Sequence, residues 1–287
     1  MTTIGDLITD PAIGLDVARF QPANIDWPAC AALGVRTVTV KWWHGPWRGD
    51  ASTQAFAAQQ YREAKEAGLL VGRYAWWLPE RSMVDQTAAW CAVSDDSDLP
   101  LTIDAEEPSA PKGAQTREHL EWIVERVEAL TGRKPIIYSG AWWADDYLGH
   151  DSATLAACPY WHAAYPRKLA TGTDYAGALR EWLAQAAPTL PRIWRDVAPI
   201  AYQLDGTDDA SKTGALRLPG GSDVDVDLVD WARLRGLVPA LRDTDPPADD
   251  PPVFDPRPPA LRGEPSEVEP LERVLQGLTE PDTTEIP

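Results

Sequence analysis

Cysteine is scarce in this chain, with three in 287 residues. Cys30, Cys91 and Cys158 are far apart, odd in number and without CxxC spacing. Neither a disulfide framework nor a thiolate metal site is indicated, and all three read as reduced core residues. Basic residues are also short. The 26 Lys and Arg against 44 Asp and Glu leave a formal charge of -18, which speaks against nucleic acid as a partner because phosphate contacts need clustered cations. The same balance argues against docking on an anionic membrane surface. No apolar run approaches the ~20 residues that cross a bilayer, so no membrane insertion is expected. The opening MTTIGDLITDP has neither a basic n-region nor an apolar h-region, and no signal peptide is expected. Phosphate loop, GxGxxG fingerprint, GxSxG elbow and HExxH motif are all missing. The histidines His44, His119, His150 and His162 show no paired ligand spacing, and DVDVDL places Leu228 where a calcium loop needs glycine. The expectation is therefore no cofactor and no metal.

Tryptophan is abundant, at 14 residues, and 44% of the chain is apolar, enough for one large core. Composition changes near residue 240. Residues 1–240 read as one domain, whereas 241–287 are rich in Pro, Asp and Glu and nearly free of aromatics. Such a segment buries too little apolar area to offset its ordering entropy and reads as an extended tail. Within it, Leu271, Val274, Leu275 and Leu278 fall at i, i+3, i+4 and i+7, a short amphipathic helix near 270–279. That helix is either transient or docks in a partner's groove.

Between residues 11 and 240, strand-like runs alternate with helical patterns. Strands are predicted at IGLDV, RTVTVKWW, LLVGRYAWW, LPLTIDAE, KPIIYSG, PYWHAAY, PIAYQLDG and DVDVDLV. A helix is predicted over TREHLEWIVERVEALTG, with Gly132 as its stop. This alternation implies an α/β fold with a mainly parallel sheet, and eight strands fit a (β/α)8-type barrel. Residues 166–198 match a regular βα unit poorly, so the barrel should be irregular.

LPLTIDAEEP asks why a buried strand should end on Asp104, Glu106 and Glu107. Side chains alternate along a strand, so Thr102, Asp104 and Glu106 share one face, pointing to the interior and mouth of a barrel. The same parity sends Asp16 inward from IGLDV, and Asp225 and Asp227 from DVDVDLV. Acids gathered at a mouth can run acid/base chemistry on a glycosidic bond, where crowding keeps one protonated while others stay ionised. They can equally be strand-end acids that cap helices or meet arginines. Flat rings suit the apolar faces of sugars and also fill cores. Trp42, Trp76, Trp77, Trp142, Trp143 and Tyr165 cluster near predicted strand ends.

These motifs resemble the glycoside hydrolase family 25 lysozymes. GLDVARFQPANIDW resembles the family's N-terminal GxDVSxxQ…IDW signature, and LTIDAEE its DxE strand. AGLLVGRYAWWLP, TGRKPIIYSGAWW, YWHAAY, AYQLDGT and VDVDLV resemble its later strands in order, so the similarity runs from about residue 12 to 230. The resemblance implies an irregular β/α barrel that cleaves the β-1,4 bond between N-acetylmuramic acid and N-acetylglucosamine in peptidoglycan. It implies Glu106 as general acid/base, Asp104 as its assistant on the substrate's acetamido group, and Asp16 and Asp225 as two further acids. Trp76, Trp42, Tyr74, Tyr138, Tyr165 and Gln203 are then candidates for holding sugar. Two departures stand out. VKWWHG stands where the family has an IKATEG-like sequence, with only Lys41 matching, and Asp227 replaces an asparagine.

The function expected is a muramidase of a bacteriophage, made in the host cytoplasm and acting on the wall, either released at lysis or carried on the virion. Its partners would be peptidoglycan and, through the acidic tail, phage tail or other virion proteins. The alternatives are a barrel kept as a saccharide-binding module without catalysis and a glycosidase for another cell-surface polysaccharide.

Overall fold

All eight apolar runs become strands in a computed structural model of the chain, which describes residues 2–44, 51–92, 97–164, 172–205, 216–222 and 224–238. Tyr165, the side chain of His44 and the 241–287 tail with its expected helix lie outside the described residues. The strands are β1 (Pro11–Val17), β2 (Val35–His44), β3 (Leu70–Trp76), β4 (Thr102–Asp104), β5 (Ile136–Gly140), β6 (Tyr160–Ala163), β7 (Ala201–Asp205) and β8 (Asp225–Asp230). They close into one barrel in chain order. From β1 to β7 each strand pairs with the next in parallel. By contrast, β8 is antiparallel to both β7 and β1. A parallel return needs a crossover, usually a helix. Among the described residues between β7 and β8 there is no helix, and the chain comes back in the opposite direction.

Outside the barrel run α1 (Trp27–Ala32), α2 (Ala51–Glu66), α3 (Met83–Cys91), α4 (Ala114–Thr131), α5 (Ala141–Tyr147), α6 (Ala153–Ala156), α7 (Tyr175–Leu183) and α8 (Trp231–Arg235). Local chemistry sets their ends. Asp26 Oδ1 accepts from the Ala29 N–H at 3.0 Å at the start of α1. As expected, α4 stops at Gly132, whose φ of 69° suits glycine and whose N–H donates to the Glu128 carbonyl. The irregular stretch after β6 holds only α7 and a 3-10 turn, Arg192–Trp194, among its described residues.

Strand parity divides the core. Outward residues of β1, β2 and β8, such as Leu15, Val38, Val40, Val226 and Leu228, pack under Trp27, Tyr175 and Trp182. Ile103, Ile137 and Tyr160 pack with Leu120, Trp143 and Trp194. Inside, Leu99, Ile136, Trp161, Ala201 and Val229 fill the floor, and Leu234 and Val238 pack against them. Because β8 runs backwards, its end and α8 lie at that floor, and the floor is closed.

Candidate active site

Apolar side chains take the lower half of the interior, so the polar inward residues collect at the mouth. Asp16 near the end of β1 stands in register with Asp225 at the start of β8. On β1 and β4 the mouth acids come near the strand's C-terminal end; on β8 they come at the beginning, because that strand is reversed. Asp227 follows two residues further in, beside Gly14. A Cβ on Gly14 would lie 2.7 Å from Thr37 Oγ1 and 3.2 Å from Asp227 Cβ, so the glycine makes room for this carboxyl. Across the barrel, β4 ends at Asp104, and Glu106, read above as part of that strand, lies on the loop just past it. The Ala105 N–H still donates to the Tyr138 carbonyl at 2.9 Å, which holds the chain over the mouth on its way to Glu106.

A hydrogen-bonded chain links three of the strands. Tyr138 Oη donates to Gln203 Oε1, and Gln203 Nε2 donates to Asp16 Oδ2 at 3.2 Å. Asp16, Asp104 and Asp227 are buried, whereas Glu106 and Asp225 are only partly so. Burial pushes the Asp16 carboxyl well above the usual range, as do the neighbouring charges of Asp225, Asp227 and Asp104, with Lys41 opposing. Asp104 is raised by burial and then by Glu106, again against Lys41. Asp227 is raised by burial and by Asp225. The Trp161 indole favours its ionised form, without a hydrogen bond of ordinary geometry, and Asp227 Oδ1 has no hydrogen-bond partner. The site thus holds a deep set of acids that resist ionising and two others nearer solvent. That division suits proton transfer to a bound acetal together with stabilisation of positive charge on it. Among the described residues, no three His, Cys, Asp or Glu side chains are arranged to hold a metal ion.

The aromatic candidates separate. Tyr74 and Trp76 face inward, and Lys41 Nζ lies 5.2 Å and 5.0 Å from their ring centroids. Trp76 Nε1 also donates to Glu107 Oε2 at 3.1 Å. Trp42 is not brought to the acids. Alternation from the inward Lys41 points Trp42 out of the barrel, and a register shift of β2 on β3 between Lys41 and Trp43 turns Trp43 out as well. Trp42 stacks under the Arg73 guanidinium at 4.5 Å, and Trp43 packs edge-on against Trp90. Trp77 and Trp143 are fully buried and meet edge to face at 6.2 Å.

A sequence model described as glycosyl hydrolases family 25 matches residues 15–184, more than half of the chain. The chain belongs to this family. Among curated proteins it is 29% identical to Lysozyme M1 of Streptomyces globisporus over 173 residues, 56% of this chain and 57% of that one. It is 28% identical to the uncharacterized protein YegX of Escherichia coli K12 over 155 residues, 53% and 56% of the two chains. The chain spans about half the length of the curated relatives it matches. Among solved structures, the bacterial lysozyme of Streptomyces coelicolor superposes with a TM-score of 0.62 at 23% identity, over 82% of this chain and all of that one. A family GH25 lysozyme from Aspergillus fumigatus gives 0.57 at 22%, over 79% and 99%. At such identities these two establish the shared fold. Residues that the sequence left without a role in this family 25 site are Lys41, whose charge faces Asp16 and Asp104, and Glu107. Parity with Thr37 and Thr39 marks Lys41 as inward-facing. Nothing local marks Glu107, since its bond to Trp76 spans 31 residues.

Proposed function

We propose that this family 25 chain hydrolyses the β-1,4 bond between N-acetylmuramic acid and N-acetylglucosamine in peptidoglycan. The observation that carries the reading is the convergence of Asp16, Asp104 and Asp225 on one barrel mouth, with Glu106 immediately above. Glu106 gives its proton to the glycosidic oxygen as that bond breaks. The substrate's acetamido oxygen attacks the anomeric carbon from the other side and forms a cyclic intermediate. Asp104 orients the acetamido group, and the oxygen lone pairs of the mouth carboxyls favour the developing cation. Glu106, now a carboxylate, takes a proton from water as the water opens the ring, with overall retention of configuration. Gln203, held between Tyr138 and Asp16, fixes the Asp16 carboxyl at the mouth.

The test is release of reducing ends from purified peptidoglycan by the wild type and by Glu106→Gln, which keeps size but has no transferable proton. The expected loss is at least ~10²-fold. Activity unchanged by the substitution means that the acid is a different one.

We place this activity in a bacteriophage, at lysis or on the virion. The support is the 241–287 segment, whose Pro, Asp and Glu content suits a tether to another virion protein. An anionic wall polymer would repel it.

A further inference from the structure

Four large apolar side chains stand exposed among the described residues: Phe20 at 73%, Trp142 at 59%, Leu130 at 40% and Leu33 at 37%. They are sorted by chemistry and by end. Leu33 and Leu130 close the C-terminal turns of α1 and α4, helices that run back from the mouth, and so belong to the floor side. The two aromatic residues are the most exposed of the four, and both follow the mouth ends of strands. Phe20 lies on the loop after β1, and Trp142 is the second residue of α5, directly after β5. In an eight-stranded barrel closed in chain order, β1 and β5 are diametrically opposed.

Each ring has a close neighbour. A Cβ on Gly140 would come within 2.5 Å of Trp142 Nε1 and 2.7 Å of its Cδ1, so the pyrrole edge of the indole lies against a backbone kept bare for it. The Arg19 guanidinium covers the Phe20 ring at 5.4 Å from the centroid. An aromatic side chain has only two rotatable bonds, so ordering it against a flat ligand costs little entropy.

We propose that Phe20 and Trp142 are stacking platforms for sugars of the glycan strand on either side of the cleaved linkage, a claim that rests on the hydrolase reading above. Eight strands spaced ~4.8 Å apart and tilted ~36° make a barrel about 15 Å across. A strand that touches both rings therefore extends over several sugars, longer than the pair whose bond the acids meet. The ligand class is a linear polymer of β-linked N-acetyl pyranoses, whose equatorial substituents leave apolar ring faces free to stack. Long glycan is then the preferred substrate over short fragments.

The experiment is sedimentation of the full chain with purified insoluble peptidoglycan in the Glu106→Gln background, which keeps the polymer intact, beside binding of soluble disaccharide-peptide fragments. Phe20→Ala and Trp142→Ala are each added, with Leu130→Ala as the floor-side control. Each aromatic substitution is expected to weaken polymer binding by about 3- to 10-fold. Binding of the fragments should change less than about 2-fold, and Leu130→Ala should change neither. Polymer binding unaltered by both aromatic substitutions overturns the proposal, as does equal weakening for polymer and fragment, or no wild-type binding to the polymer at all. Failure of the hydrolase reading is seen separately, as polymer binding that depends on these rings with no release of reducing ends by the wild type.

Discussion

His162 is a buried base behind the active site, and acid should find it. It sits on β6 facing away from the interior, with its ring edge-on to Tyr202 at 6.0 Å. The Tyr160 hydroxyl donates to the Ser139 carbonyl at 2.6 Å, so His162 Nδ1, 2.9 Å from that hydroxyl, is the protonated nitrogen and donates to it. Burial pushes the imidazole down to about 4, with the Ser139 backbone opposing. In the unfolded chain the ordinary value is about 6.5. As pH falls below 6.5 the unfolded chain takes up a proton that the folded one refuses, so stability is lost between about 6.5 and 4. The loss from this one group is about 2 kcal/mol at pH 5 and about 3 kcal/mol at pH 4. His162→Phe keeps a flat buried ring and removes the titration, at a cost of about 1 kcal/mol for the hydrogen bond at pH 7.5. The two proteins should therefore be equally stable near pH 6, with the variant ahead by about 2 kcal/mol at pH 4. Urea unfolding of both between pH 7.5 and 4 measures this, and the buried carboxyls cancel in the difference. A stability difference that stays constant with pH would refute the reasoning, whatever its size.

Asp227 has the opposite sign. Its raised carboxyl binds a proton more tightly folded than unfolded, so its contribution is lost as pH rises from the ordinary carboxylate range through the folded value. Asp227→Asn should match wild type at pH 3 and exceed it at pH 7.5 by about 1–3 kcal/mol, the cost of an unsatisfied buried group. Thermal melts at the two pH values should show it as about 2–4 °C per kcal/mol, and equal melting temperatures at pH 7.5 would count against a strained Asp227. On the proposal that the chain is carried on a virion, removal of residues 241–287 is expected to abolish its incorporation into phage particles, scored by blotting purified virions. Particles that retain the truncated chain would rule out a docking arm.

The sequence by itself determined whatever has a short period. Alternation along a strand set Asp16, Asp104, Asp225 and Asp227 on inward faces, and turn chemistry ended α4 at Gly132. Tertiary structure decided what depends on partners far along the chain. The reversal of β8 puts its acids at the start of the strand rather than the end. Alternation from Lys41 already sends Trp42, a candidate for sugar, outward onto Arg73, and the bulge in β2 against β3 then breaks that alternation, so Trp43 packs outside on Trp90 instead of facing the interior. Gln203 reaches Asp16 across 187 residues and Trp76 reaches Glu107 across 31. Periodicity is a property of neighbours a few residues apart, and it survives in any fold that uses those strands. Strand direction, register and the burial that holds a carboxyl neutral exist only once distant strands have paired and closed the barrel.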